Sequence, residues 1–257
     1  TPTTGSPVDL LFWFNRDLDD KLYVKDAREV KIKFLRALEP SSHCFGRVKF
    51  ASARLSDDED AYPFGPSNQW YGLFLSPARP LAAYDFAFWC EHDVMPVQPG
   101  WIDALLHEVT FRGDFFVKGS IHRGRKLDTI APYPDDASWV THINGNALYR
   151  ANDPVFNSMI SQCEEKNRGS RSFLSSFDAA MWIQHVTSFA SSWEKYQSYA
   201  HKFQYTDLIQ NLNEDVSWPR GARDLTARSP KTFLVHGTSA SAGEAHRKKT
   251  YAKGVAV

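Results

Sequence analysis

The residues most able to do chemistry in this sequence sit where apolar runs end. In FAFWCEHDVMPVQPGW (86–101), an apolar run turns abruptly into Glu91-His92-Asp93. Residues 91 and 93 are two apart, so in extended chain their side chains project to the same side. Two carboxylates on one side repel each other unless a cation lies between them. A hard divalent ion suits them, with water and phosphate oxygens completing its shell. The plain alternative is a solvated acidic turn after a strand. His236 ends a second apolar run, Phe233-Leu234-Val235, and an imidazole beside carboxylates favours Mn²⁺ over Mg²⁺. It is otherwise a turn histidine.

Two more features carry chemistry. In HINGNALY (142–149), Asn144-Gly145 reads as a tight turn whose glycine lets backbone approach a ligand, or as an ordinary hairpin. Asp178 opens the helical run DAAMWIQHVTS (178–188), either as a cap or first-turn acid or as a general base.

Elements must hold these groups in place. Apolar and alternating runs at 8–14, 47–55, 84–90, 114–120, 146–150, 203–209 and 232–237 read as strands, with WVTHI (139–143) before the Asn-Gly turn. Helical spacing marks 25–38, 70–83, 101–110, 154–166 and 178–188; Ala27, Val30, Phe34 and Leu38 share one face of the first. Alternation of strand and helix predicts an α/β domain with a largely parallel sheet. Ligands in such folds bind beyond the carboxyl ends of strands, where residues 91–93 fall.

With 257 residues, 42% hydrophobic and 23% charged, the chain can bury a full core. Thirty basic residues balance thirty acidic ones, so no global charge draws nucleic acid or an anionic membrane. No apolar run is long enough to span a bilayer. Cys44, Cys90 and Cys163 are too scattered for a zinc cluster, and Cys90, ending an apolar run, reads as a buried thiol. The expected organisation is a tail (1–7), one catalytic domain (8–240) and a basic tail (241–257). A start at Thr1 rather than Met suggests a trimmed or processed form. The compartment expected is the Golgi lumen if a membrane anchor has been removed, and the cytoplasm otherwise.

The order of these motifs resembles that of GT-A glycosyltransferases, the class that uses nucleotide sugars. That family carries an acid-x-acid metal motif after a central strand, then a glycine-containing loop, an acid at a helix start and a histidine near the C-terminus. Glu91/Asp93, Asn144-Gly145-Asn146, Asp178 and His236 occupy those places across residues 8–237. The resemblance implies a Rossmann-like mixed sheet flanked by helices in a single domain. It also implies Mn²⁺ or Mg²⁺ held by Asp93, His236 and Glu91, and a nucleoside diphosphate sugar, UDP-linked, as donor. One departure stands out: the family's first acid is Asp, and here it is Glu91, whose longer arm could reach the ribose or a metal-bound water instead.

The same resemblance places the end of the first strand, Asn15-Arg16-Asp17, beside the nucleotide, although a salt-bridged strand end explains those residues equally well. Lys118, Arg123, Arg125 or Lys126 would assist at the diphosphate. Asp178 would deprotonate a glycan or glycoconjugate hydroxyl and invert the anomeric centre; a retaining reaction stays open if it is not the base. Trp139, His142 and Trp182 are candidates for acceptor contact, and loops 121–138 and 210–231, with WPRGARD (218–224), are candidate lids. A metal-dependent phosphoester hydrolase and a non-enzymatic carbohydrate-binding module are the competing readings.

Overall fold

A computed structural model describes residues 8–19, 27–61, 64–123, 141–168, 176–187, 198–212 and 226–237. The expected tails, Arg125, Lys126, Trp139 and residues 218–224 lie outside them, as does most of both candidate lids. The protein is mixed α/β, with open mixed sheets and helices. Within the span read as one domain, contacts group into two compact units. The first joins residues up to Asp85 with Ala151–Gln184; the second holds Phe86–Arg150 and everything from His185 onward.

In the first unit, strand β1 (Leu10–Phe14) pairs in parallel with β2 (Val48–Ser52), and Phe12 lies opposite Phe50. Helix α1 (Ala27–Leu38) connects them. Alternation in LLFWF sends Leu10, Phe12 and Phe14 to one face and Trp13 to the other. Phe34 of α1 meets Phe12 at 4.7 Å and Phe14 at 5.8 Å between ring centroids, as the helical spacing predicts. On the opposite face Trp13 donates its indole N–H to the Gln69 carbonyl, and Gln69 donates back to the Trp13 carbonyl. Gln69 lies on α2 (Gly65–Leu75), which starts at the Gly65-Pro66 step. It stops before Pro77, short of the expected 83, because a residue preceding proline is driven out of helical geometry.

Helix α4 (Pro154–Asn167) is capped by Asp153, whose carboxylate accepts from the Val155 and Phe156 amides, with Pro154 preset for the first turn. Helix α5 (Phe177–Trp182) packs beside it: Phe177 stacks on the fully buried Trp70 at 4.4 Å. The helix expected over 178–188 stays α-helical only to Trp182, and Ile183–Thr187 widens into a π-helical turn.

The second unit holds two four-stranded sheets. One runs β3 (Phe86–Phe88), β7 (Leu148–Arg150), β5 (Val117–Gly119), β8 (Phe203–Tyr205). The other runs β4 (Met95–Pro96), β10 (Leu234–His236), β9 (Ile209–Leu212), β6 (His122–Arg123). The expected largely parallel sheet is instead mixed, since β7 lies antiparallel between β3 and β5. The single strand read at 203–209 is two, in different sheets. Thr206 breaks it by accepting the Leu208 amide on its own hydroxyl. Helix α3 (Trp101–Phe111) presents Trp101, Ala104, Leu105 and Val109 to a core of Phe115, Leu148, Leu208, Ile209 and Leu234. No helix among the described residues is long and apolar enough to cross a membrane.

Candidate metal centre

Strand β3 ends at Phe88, and Trp89 adds one more bond, donating its amide to the Ala147 carbonyl. Beyond it the chain is not extended. The Val94 amide donates to the Glu91 carbonyl at 3.1 Å, closing a turn over 91–94. Glu91 and Asp93 therefore converge through a turn and not through the alternation of extended chain. Cys90 precedes this turn as an exposed free thiol rather than a buried one.

Strand β10 supplies the third group. Its last residue is His236, and Gly237 follows with φ +78°, a left-handed conformation that glycine adopts without penalty. The chain thus turns away directly after the imidazole. His236 Nε2 lies 2.9 Å from Glu91 Oε2 and 3.4 Å from Asp93 Oδ1. Ligand atoms from all three residues lie within 4.8 Å of one another. The His236 and Asp93 side chains are 13% and 18% exposed and Glu91 is 41% exposed, so the group opens to solvent on the Glu91 side.

The hydrogen-bond network fixes the ring. Asn211, wholly buried on β9, donates Nδ2 to the Ser120 carbonyl at 3.0 Å and to Ser120 Oγ at 2.9 Å. A carbonyl can only accept, so that edge of the amide must be nitrogen and the other edge oxygen. Asn211 Oδ1 lies 3.0 Å from His236 Nδ1, which therefore carries the hydrogen. In the neutral ring the Nε2 lone pair then points at two carboxylates. That arrangement is repulsive unless Nε2 holds a proton or a cation sits among the three groups.

The spacing fits a cation. Around a six-coordinate ion with bonds of about 2.1 Å, adjacent ligand atoms lie about 3.0 Å apart. The observed 2.9 and 3.4 Å are close to that edge. Neutral imidazole held from behind by a second group is also the usual form of a metal-binding histidine.

Asn144-Gly145-Asn146 comes to this cluster through its last residue. Asn146, 1% exposed, accepts the Glu91 amide on Oδ1 at 2.8 Å and donates Nδ2 to Glu91 Oε2 at 3.0 Å and to Asn144 Oδ1 at 3.1 Å. The Asn144 amide donates to the same Ser120 carbonyl that receives Asn211. This stretch is not the turn of a hairpin: no strand precedes it over 141–143, and β7 pairs with β3 and β5. It packs tightly on the end of β5, where a Cβ on Gly119 would lie 2.7 Å from Ala147 Cβ and from Ile143 Cγ2.

Lys118 is buried, with Nζ 2.6 Å from Glu108 Oε2 on α3. Arg123 lies on β6, its backbone paired with Leu212. His142 and Trp182 are buried. In the first unit, Asn15 and Arg16 both donate to Asp60; Arg16 also pairs with Asp57 at 2.7 Å, and Asp17 with Arg54 at 3.2 Å. Asp178 accepts Ser176 Oγ at 2.7 Å and the Ala179 amide at 2.9 Å. It belongs to the first unit, whereas Glu91, Asp93, Asn144, Gly145 and His236 belong to the second.

Sequence reasoning missed Asn211 and Ser120. The only signal was polarity inside a strand: in Ile209-Gln210-Asn211-Leu212, a buried polar residue is the informative kind. In comparisons with known proteins, no protein-family model, curated protein or solved structure matches the chain.

Proposed function

We propose that this protein is a divalent-cation-dependent glycosyltransferase, moving a sugar from a nucleoside diphosphate sugar to a hydroxyl on a glycan or glycoconjugate. The observation that carries the proposal is the imidazole of His236, held from behind by Asn211, with its Nε2 among the carboxylates of Glu91 and Asp93. In a sugar transfer of this kind, Mn²⁺ or Mg²⁺ offsets the charge that develops on the leaving diphosphate.

The chain's own residues would divide the work as follows. Asp93 and His236 hold the cation, and Glu91, anchored by Asn146, completes the protein's share of its ligands. The donor is UDP-linked in this reading, with Asn15, Arg16 and Asp17 assigned to the nucleotide. Arg16 is already paired with Asp57 and Asp60, so these residues would shape a nucleotide site rather than neutralise phosphate. Asp178 takes the proton from the acceptor hydroxyl, and a single displacement inverts the anomeric centre.

Calorimetric titration with UDP, with and without Mn²⁺, tests the donor reading. Metal-dependent binding is expected, and absence of UDP or GDP binding with either metal would sink it. Asp178→Asn is expected to abolish transfer while UDP binding stays within about twofold. Loss of binding together with transfer would make Asp178 a structural acid instead.

A further inference from the structure

We infer that Asn211 is a positioning residue for cation binding: it selects the imidazole tautomer of His236 that presents Nε2 to the cation, and Ser120 selects the orientation of Asn211. The inference rests on reading Glu91, Asp93 and His236 as a cation site, and not on sugar transfer.

Three observations support it. Asn211 is wholly buried, so its amide has no solvent to turn toward. Both of its ends are engaged, Nδ2 by two oxygens of Ser120 and Oδ1 by His236 Nδ1. A flipped amide would set Oδ1 against the Ser120 carbonyl, two acceptors face to face, and could bond only the Ser120 hydroxyl turned to donate and an Nδ1 without its hydrogen. The Ser120 carbonyl, which can only accept, therefore selects one amide orientation and with it one tautomer. His236 ends β10 and Asn211 lies opposite it in the parallel pairing of β10 with β9, so the backbone register fixes the distance between them.

Without Asn211, the carboxylates of Glu91 and Asp93, which only accept, draw the ring hydrogen to Nε2. The neutral ring then turns a hydrogen rather than a lone pair toward the carboxylates, and that tautomer must be reversed before a cation can bind. Ring rotation is also freed, which costs a further share of binding. Charge and ligand count stay the same, so the effect on cation affinity falls chiefly through His236.

Mn²⁺ titration of the full chain, with bound and free ion distinguished by electron paramagnetic resonance, provides the test. The unaltered chain is expected to bind one ion. Asn211→Ala should bind about 10- to 100-fold more weakly. His236→Ala should bind weakly as well, and Asn211→Ala in the His236→Ala background should cost nothing further beyond about twofold. That non-additivity is the signature of a residue acting through the imidazole; a merely structural asparagine would weaken both backgrounds alike.

Equal affinity in the unaltered and Asn211→Ala chains, or multiplied losses in the double variant, overturns the inference while leaving the cation site standing. No Mn²⁺ binding by the unaltered chain overturns the cation reading and this inference with it. If circular dichroism shows that Asn211→Ala does not fold, Ser120→Ala decides. It keeps the carbonyl and removes only the hydroxyl acceptor. A loss of about 2- to 5-fold that vanishes in the His236→Ala background supports the role, and a loss that persists there overturns it.

Discussion

Asn146 grips Glu91 at two points, accepting its backbone N–H on Oδ1 at 2.8 Å and donating Nδ2 to its Oε2 at 3.0 Å. One small amide thus fixes both where Glu91 starts and where it ends. Asn146→Ala would free a carboxylate whose side chain is 41% exposed. Mn²⁺ affinity is expected to fall about 10-fold with little change in fold, as for other outer-shell partners of a metal ligand. Calorimetry on the variant checks this. Unchanged affinity would mean that Glu91 holds its place at the ion without Asn146.

Cation binding should appear as stability. An ion that binds only the folded chain, at a concentration about 100 times its Kd, adds roughly 2.7 kcal/mol. For a chain of this size that corresponds to a rise in melting temperature of roughly 5–10 °C. Mn²⁺ should produce such a shift, EDTA should reverse it and His236→Ala should abolish it. A shift that survives His236→Ala would place the ion elsewhere.

Lys118 and Glu108 form a buried pair, their side chains 6% and 11% exposed. Lys118→Ala should destabilise by about 3 kcal/mol, because among the described residues it leaves the buried Glu108 with Arg112, 3.7 Å away, as counter-charge. Converting both, Lys118→Met with Glu108→Leu, should recover most of the loss. Urea unfolding measures these differences. UDP affinity in the double variant should stay unchanged if the pair is structural, and would fall if Lys118 touched phosphate.

Asp9 gives the first unit an acid-sensitive tie. Burial alone would raise its pKa. The hydrogen bonds from Tyr84 and Arg47, and the charges of Arg47 and Lys49, outweigh that and hold it below the usual carboxylate range. A depressed folded-state value means that Asp9 stabilises the fold fully above its unfolded pKa of about 3.9. The contribution is lost as pH falls through the lower folded value. Asp9→Asn should therefore lower the melting temperature at pH 6, and the gap from the unaltered chain should narrow as pH falls below about 4.

Cys163, buried on α4, reports on folding. Burial pushes its thiol up to about 12, so almost no thiolate exists at pH 8. Iodoacetamide at that pH should leave Cys163 unlabelled in the folded chain and label it in urea, as peptide mass analysis would show. Labelling without denaturant would mean that α4 opens readily.

The sequence made the local pieces of this protein legible where a single strong pattern governs them. The Phe34 face of α1 follows from helical spacing, and the helical run read at 154–166 is α4. Glu91, Asp93 and His236 stand out by chemical type and by their place at the ends of apolar runs, and the structure brings them within one cluster. Pairing was harder to read. That β7 would lie antiparallel between β3 and β5 is decided by contacts far apart in sequence, which no short window contains. The split at Thr206 turned on one hydroxyl competing with the strand ladder. The polarity of Asn211 inside a strand marks it, but its role depends on which residue of β10 faces it, a matter of register rather than composition.

The Ser120 carbonyl receives hydrogen bonds both from the Asn144 amide and from Asn211 Nδ2. The meeting point of the two supports, one leading to Glu91 and the other to His236, is thus a peptide oxygen, present whatever side chain stands at 120. Substitution there can loosen the Asn211 amide but cannot delete the joint itself. Variation in this part of the chain would erode the site gradually, through its asparagines, rather than all at once.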